Sequence, residues 1–496
     1  MRKRIYCIFL ILTQICINCF AQEKENIING LEVAIEAQGS IADGTTPLWL
    51  NANKYGLSSL ESQNGYLRAS AIRPLSADCD RQWKWGYGVD IVGGINYNAK
   101  VFVHQAFAEM QWKKLRLSLG AKEQPVEYTN QELSSGALTL GCNARPIPQA
   151  RIDLDWFSFP GPNNWVKMKL HGSLGMTTDG NWQKSVVPEK EHYTSNVAYH
   201  EKSIFWKFGK ETNTSFPLTL EFGIQIATEF AGTSYNIIGR GYDHPSTIKH
   251  PFTLQALLDA VTASGSDETD GSSKNTAGNH VGSWNMRLAW HGQDWNAGIR
   301  FERMFEDQSM MFIQYGIFDH LVGLDITFPR NPFVSTFTME HMSSYDQSGA
   351  VMHDAALNIP DKMNGRDNYY NHNLYIGYQH WGQSMGSPLL TSPVYNSNGS
   401  LIFRNNRVKA FHFGLAGDPL SWLHWRALVT FTRNWGGYDT PLEDPTNQQY
   451  YLVEATAKPH FCKGWEASIG LGLDHGKVIG NNHGAQITLR KAFKFQ

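Results

Sequence analysis

The chain has 496 residues, with 43 Lys+Arg against 45 Asp+Glu, 42% hydrophobic and 12% aromatic residues, and 16 Trp. Arg2, Lys3 and Arg4 precede an apolar run from Ile5 to Ile17 and the exit Cys19-Phe20-Ala21, which predicts a secretory signal over 1–21, cleaved near Ala21. Without those three cations the remainder has 40 basic against 45 acidic residues, a charge of −5 that argues against a nucleic-acid partner; it also has no second apolar run long enough to cross a bilayer as a helix.

No Pro/Ser-rich linker or charge run divides residues 22–496, so one large closed architecture is expected. Cys7, Cys16 and Cys19 belong to the signal. That leaves Cys79, Cys142 and Cys462 far apart, without metal-type spacing and with room for at most one disulfide.

In chain order, alternating apolar and polar residues mark strands at 31–41, 64–73, 83–97, 101–111, 113–122, 148–156, 165–176, 200–209 and 217–231. They continue at 284–291, 295–304, 320–328, 333–342, 406–416, 422–434, 450–458, 464–474 and 484–495. Successive strand residues point to opposite faces, so Trp465, Ala467, Ile469, Leu471 and Leu473 share one apolar side. Trp85, Tyr87, Val89, Ile91, Ile95 and Tyr97 do the same. The fold expected is all-β: a transmembrane antiparallel β-barrel of about 18 strands in the outer membrane of a Gram-negative bacterium, with aromatic girdles at both interfaces. Outer-membrane lipids and the barrel assembly machinery follow as partners, and a monomer is expected.

Parity tests this count. With both termini periplasmic, the turns near Trp112, Gly292–Asp294, Pro329–Pro332, Gly417–Ser421 and Pro459–Lys463 all fall inside. The long connections 123–147, 177–199, 232–283, 343–405 and 435–449 all fall outside. The alternating stretch Asn373–Trp381 is then a strand within a long outer loop. Pro251 followed by Phe252, Leu254, Leu257, Leu258 and Val261 predicts a helix over 251–263, which could cover or plug an opening.

Three segments resemble the Wzi family of capsule assembly proteins. They are Trp49-Leu50-Asn51-Ala52-Asn53-Lys54-Tyr55-Gly56 with Asn64-Gly65-Tyr66, then Leu133-Ser134-Ser135-Gly136 through Asn143-Ala144-Arg145-Pro146-Ile147-Pro148-Gln149, then Asp367-Asn368-Tyr369-Tyr370 through Tyr375, Gly377, Tyr378 and His380 to Gly382-Gln383-Ser384-Met385-Gly386-Ser387-Pro388. The resemblance implies a barrel whose lumen is occluded by loops and short helices, and a non-catalytic outer-membrane lectin that holds capsular polysaccharide. Two departures are Cys142, where a small or hydroxyl residue is expected, and the ending Phe495-Gln496.

The candidate polysaccharide-binding residues are Arg145, Asp367, Asn368, Tyr369, Tyr370, Tyr378 and Trp381. Arg145, stiffened by Pro146 and Pro148, offers a planar fork to a sugar carboxylate or hydroxyls; it could equally form a lumen salt bridge that pins its loop. The aromatic residues offer faces to sugar C–H groups and the Asp and Asn offer hydrogen bonds; internal packing that closes the loop is the competing role. Gly382-Gln383-Ser384-Met385-Gly386 fits G-x-S-x-G, but Ser387-Pro388 follows where a hydrolase needs a helix. No catalytic residue, metal ligand or cofactor is expected, and His104, His171 and His412 read as lumen or loop residues. The alternative functions are an oligosaccharide-conducting porin and, third, an outer-membrane hydrolase.

Overall fold

The computed structural model describes residues 28–495, apart from 160–163, 213–215, 240–241, 265–277, 307–310, 312–316, 330, 332 and 353–362. The expected signal sequence lies outside the described residues.

One 18-stranded antiparallel sheet forms the wall. Its strands are β1 (Glu32–Asp43), β2 (Gln63–Arg73), β3 (Trp83–Ile95), β4 (Val101–Trp112), β5 (Leu115–Ala121), β6 (Gln149–Ser158), β7 (Val166–Met176), β8 (Ala198–Gly209) and β9 (Leu218–Phe230). They continue with β10 (Asn279–His291), β11 (Asn296–Glu306), β12 (His320–Thr327), β13 (Thr336–Ser343), β14 (Val408–Leu420), β15 (Leu423–Gly436), β16 (Pro441–Ala457), β17 (Trp465–Gly476) and β18 (Asn482–Lys494). Each pairs with its neighbours in sequence. β18 returns to β1, with Lys494 opposite Glu32 and His483 opposite Asp43, so the barrel is closed and has no free edge. Every predicted wall strand is present.

The expected faces hold. On β17 and β18 the outward Ile469, Leu471 and Ile487 are 50%, 58% and 60% exposed, whereas the inward Asp474 is 1% exposed. The end carrying both termini has short connections, such as 113–114 and 421–422, and in such barrels it is the periplasmic end. Every Trp among the exposed large hydrophobics (Trp83, Trp112, Trp165, Trp290, Trp295, Trp422 and Trp465) lies at this end.

Several expectations need correction. The span 435–449 is not a long loop: β15 and β16 extend into it from either side and leave only 437–440 as a turn. Tyr97 leaves the face of Val89 and Ile91, because Asn96 at φ 57° turns the chain and sends the Tyr97 hydroxyl to Gln38 Oε1 at 3.3 Å. Asn373–Trp381 is not one strand but two-residue bridges, interrupted by left-handed φ at Ile376 and Trp381. The helix runs over Leu254–Thr262 instead of from Pro251, because Thr253 caps it by accepting the Ala256 N–H. It packs Ala260 on Ala198 and Phe230 and leaves Leu254 and Leu258 exposed, so it sits on the outer rim and does not plug the lumen. A small sheet of 193–195, 232–239 and 242–250, absent from the sequence-based expectation, folds over Leu374 and Tyr375.

The main core is the lumen itself. Trp49, Leu50, Leu133, Leu138, Tyr369, Tyr370, Tyr378 and Phe403 from three loops are buried there against Phe305, Leu321 and Leu428 of the wall. The loop helix 48–51 lies on β16, β17 and β18. β5 stops with Ala121 opposite Ala106, leaving 101–105 of β4 unpaired on that side, and from there the chain enters the lumen.

Candidate functional site

The three segments that carry the family resemblance converge and together form the plug. Asn53 donates its backbone N–H to Asn143 Oδ1 at 3.1 Å and its side-chain amide to Ser135 O at 3.2 Å. Gly141 N donates to Met385 O at 2.8 Å, and Asn143 Nδ2 reaches Gln383 Oε1 and Ser384 O, each at 3.3 Å. The Tyr370 hydroxyl donates to Leu138 O, and the Tyr378 hydroxyl to Thr139 O at 2.9 Å. Gly56, at φ 71°, lies so close to Arg145 that a Cβ there would be 2.4 Å from its Cγ.

Carboxylates of the wall fasten this plug through its backbone. Glu302 accepts the N–H groups of Leu138 and Thr139 at 2.9 and 3.1 Å. Glu340 accepts Ser135 N at 2.9 Å and pairs with the buried Arg300, which also donates to Ser134 Oγ at 2.8 Å. Glu306 accepts Tyr370 N at 2.5 Å, and Asp474 accepts Leu48 N at 3.1 Å. The 122–148 loop descends far enough for Leu133 O to accept from His412 Nε2 at 2.7 Å and for Glu132 to reach His424. Buried backbone groups need such partners, so each carboxylate ties a loop to a fixed wall position.

The candidate sugar residues divide into three places. Tyr369, Tyr370 and Tyr378 are 1%, 0% and 1% exposed, and the Tyr369 hydroxyl goes to Asp319 Oδ2 at 2.9 Å. Their rings are covered by protein and build the interior of the plug, which corrects the expectation that they offer faces to a ligand. Asp367 and Asn368 stand apart near β15: Asn368 Nδ2 donates to Asp439 Oδ2 at 2.7 Å and its Oδ1 accepts from Asn406 Nδ2 at 2.7 Å. Burial raises the Asp367 carboxyl to about 6.

Arg145 and Trp381 come together at the outer face. The Arg145 guanidinium carbon lies 3.8 Å from the Phe102 ring centre and 4.5 Å from that of Trp381. Arg145 is buried, its Nη1 has no hydrogen-bond partner, and no carboxylate among the described residues closes an ion pair with it. Burial lowers it to about 10, with Tyr97 and Asp179 opposing, so it remains a cation at neutral pH. The expected alternative of a lumen salt bridge is therefore not what holds it.

Trp381 is partly exposed, at φ 57°, and is fixed from both sides: its N–H donates to Asp179 Oδ2 at 3.0 Å and its carbonyl accepts from Asn98 Nδ2 at 3.1 Å. Trp182, also partly exposed, lies 5.8 Å away between ring centres, and His380 Nδ1 donates to Arg145 O at 2.9 Å. Phe102, Trp182, Asp179 and Asn98 were not anticipated. The available signal was Phe102 itself, an aromatic at the inward register of His104. The arrangement presents a desolvated cation between aromatic planes, with amide and hydroxyl groups at its edge.

The remaining motifs have structural explanations. Ser384 is fully buried, its Oγ accepts the Gly386 N–H at 3.2 Å, and its own N–H donates to Ser392 Oγ at 3.0 Å; the strained strand-to-helix turn of a hydrolase is not formed. Asp90, His104 and Glu123 place possible ligand atoms within 4.8 Å of one another, but Arg68 already donates to Asp90 Oδ2 at 2.5 Å and to Glu123 Oε1 at 3.4 Å. His104, His171 and His412 face the lumen as expected, and Cys79, Cys142 and Cys462 are free thiols, with burial pushing Cys142 up to about 12.

No protein-family model and no curated protein sequence matches the chain. Among solved structures it is similar to Wzi, an outer membrane protein involved in group 1 capsule assembly in Escherichia coli and described as a carbohydrate-binding β-barrel, at 11% identity and a TM-score of 0.55, over 93% of this chain and 84% of that one. It is also similar to OprD of Pseudomonas aeruginosa, at 8% identity and a TM-score of 0.44 over 94% and 95% of the two chains. A third neighbour is OccAB2 of Acinetobacter baumannii, at 9% identity and a TM-score of 0.46 over 95% and 100%. At these identities the likeness is one of fold: the chain is a closed, 18-stranded barrel of the outer-membrane type.

Proposed function

We propose that this chain is a non-catalytic surface lectin of the outer membrane, akin to Wzi, which binds and retains an acidic capsular polysaccharide. The observation that carries this is the unpaired Arg145 cation held between Phe102 and Trp381 on a plug that fills the lumen. A carboxylate-bearing sugar suits it: the guanidinium fork receives the carboxylate and the partly exposed indoles of Trp381 and Trp182 receive apolar sugar faces. The carbohydrate-binding description of the Escherichia coli neighbour supports the same reading. A polymer offers many repeats, so weak single contacts on neighbouring barrels suffice to hold it. The loops tied to Glu302, Glu340 and Asp474 weigh against the porin alternative, which needs a continuous lumen.

The test is binding of uronate-containing and neutral oligosaccharides to purified protein, with planar-bilayer conductance alongside. Loss of a charge-assisted hydrogen-bond pair costs about 1.5–3 kcal/mol, so Arg145→Ala should weaken acidic oligosaccharide by about tenfold or more and leave neutral sugar nearly unchanged. Equal binding of both sugars by wild type and variant removes the site. A stable open current in the wild type favours the porin.

A further inference from the structure

A second cluster lies on the outside of the wall. On β14 and β15, Lys409 and Arg433 are directly opposite in the ladder and both are exposed. Like charges at directly opposed positions repel unless something neutralises them. Arg407 is beside them: its guanidinium carbon lies 4.6 Å from the Tyr345 ring centre and 4.0 Å from that of Tyr438. Lys409 Nζ lies 4.6 Å from the same Tyr345 ring, and Arg433 lies 5.5 Å from that of Trp435, which itself meets Tyr345 at 4.5 Å. Arg407 Nε donates to the Tyr345 carbonyl at 3.0 Å, and among the described residues no carboxylate closes an ion pair with Arg407, Lys409 or Arg433, although Asp346 and Asp439 are close in sequence to Tyr345 and Tyr438. Three cations thus surround a few rings without a counter-charge among the described residues.

Their height on the wall identifies the missing anion. One outward step down the same two strands are Phe411 and Phe431, again directly opposite and both exposed. From Phe411 to the turn at Leu420 is nine residues, about 30 Å along a strand and about 23 Å of height at a tilt of about 40°. That matches an apolar band of about 25 Å, so the aromatic pair lies at its outer margin and the cations lie just above it, at headgroup level.

We propose that Arg407, Lys409 and Arg433 bind the phosphate of an outer-leaflet glycolipid whose acyl chains lie on Phe411 and Phe431. The vertical order of cation above apolar ring matches the order of phosphate above acyl chain. The exposed side of the rings leaves the phosphate free to approach from the membrane. This site faces lipid, is built from different residues from the Arg145 site, and does not depend on sugar binding there.

The test uses the full-length protein in detergent, with phosphorylated lipid A, enzymatically dephosphorylated lipid A, and inorganic phosphate as probes, and bound lipid counted by native mass spectrometry. Wild type should retain the phosphorylated form at least about tenfold better than the dephosphorylated one. Lys409→Gln with Arg433→Gln should lose that preference, whereas Lys458→Gln, in the exposed pair with Glu466 at the periplasmic end, should keep it. Charge-preserving Lys409→Arg with Arg433→Lys should restore it. Equal retention of the two lipids by wild type overturns the proposal without recourse to any variant, as does full retention by the double Gln variant. Inorganic phosphate that protects the barrel against heat as well as lipid A does would assign a free-anion site and overturn the lipid one.

Discussion

Leu50 lies against Gly472 so closely that a Cβ on that glycine would be 2.9 Å from Leu50 Cγ and 2.9 Å from Pro47 Cβ. Gly470 and Gly484 face the same segment, at 3.0 Å to Leu50 Cδ2 and 2.7 Å to Pro47 Cδ. The bare inner face of β17 and β18 is therefore the seat of the short helix 48–51. Gly472→Val should unseat this helix at an overpacking cost of about 1–3 kcal/mol, while the outward Ile469 and Leu471 keep the barrel in the membrane. The expected result is normal heat-modifiable mobility with new protease cleavage within 44–62. Unchanged protection of that loop would show that the seat tolerates a side chain.

Arg300 and Glu340 form a buried pair that also holds Ser135 and Ser134. Glu340→Ala leaves the buried Arg300 without its ion-pair partner, at up to about 3–5 kcal/mol, whereas replacing both partners by apolar residues should cost much less. The measurement is the unfolding midpoint of each purified barrel together with single-channel current. Loss of the tie should also produce intermittent openings that the wild type lacks.

Tyr370 and Trp381 should separate structure from binding. Tyr370 is fully buried between Phe403, at 5.2 Å between ring centres, and Tyr378, at 5.5 Å, so Tyr370→Ala should cost about 3–5 kcal/mol of stability. Trp381→Ala at the partly exposed rim should leave the stability within about 1 kcal/mol of wild type and still release polysaccharide from cells at matched barrel abundance. Retention of polysaccharide by the Trp381 variant would move the binding surface elsewhere on the plug.

Asp367 gives a pH dependence. Burial raises its carboxyl from 3.8 to about 6, with Asp319 acting in the same direction and the Asn368 N–H opposing. The folded state then holds the proton more tightly than the unfolded state, so stability falls as pH rises from about 4 to about 6 and levels off above. Asp367→Asn should flatten this segment of the profile and raise the midpoint at pH 7. A variant with the wild-type profile would place the titration on other groups, such as Asp319.

The sequence by itself determined the wall. A strand face is set by residues two apart, so Ile469, Leu471 and Leu473 declared their side without any knowledge of their neighbours; the count of 18 also needed the even-number rule for closed barrels, because Asn373–Trp381 alternates with the same period. Convergence of the loops was not legible, because a loop has no period and its burial depends on partners far along the chain. Leu48 is fastened by Asp474, 426 positions away, and Tyr370 by Leu138, 232 positions away. For the same reason Tyr369, Tyr370 and Tyr378 could not be told from surface aromatics by composition, whereas Arg145 and Trp381 could be named but not joined. Only the tertiary structure decided which rings became the interior of the plug and which cation was left buried between two rings with no carboxylate partner among the described residues, because burial and charge pairing are properties of neighbours in space.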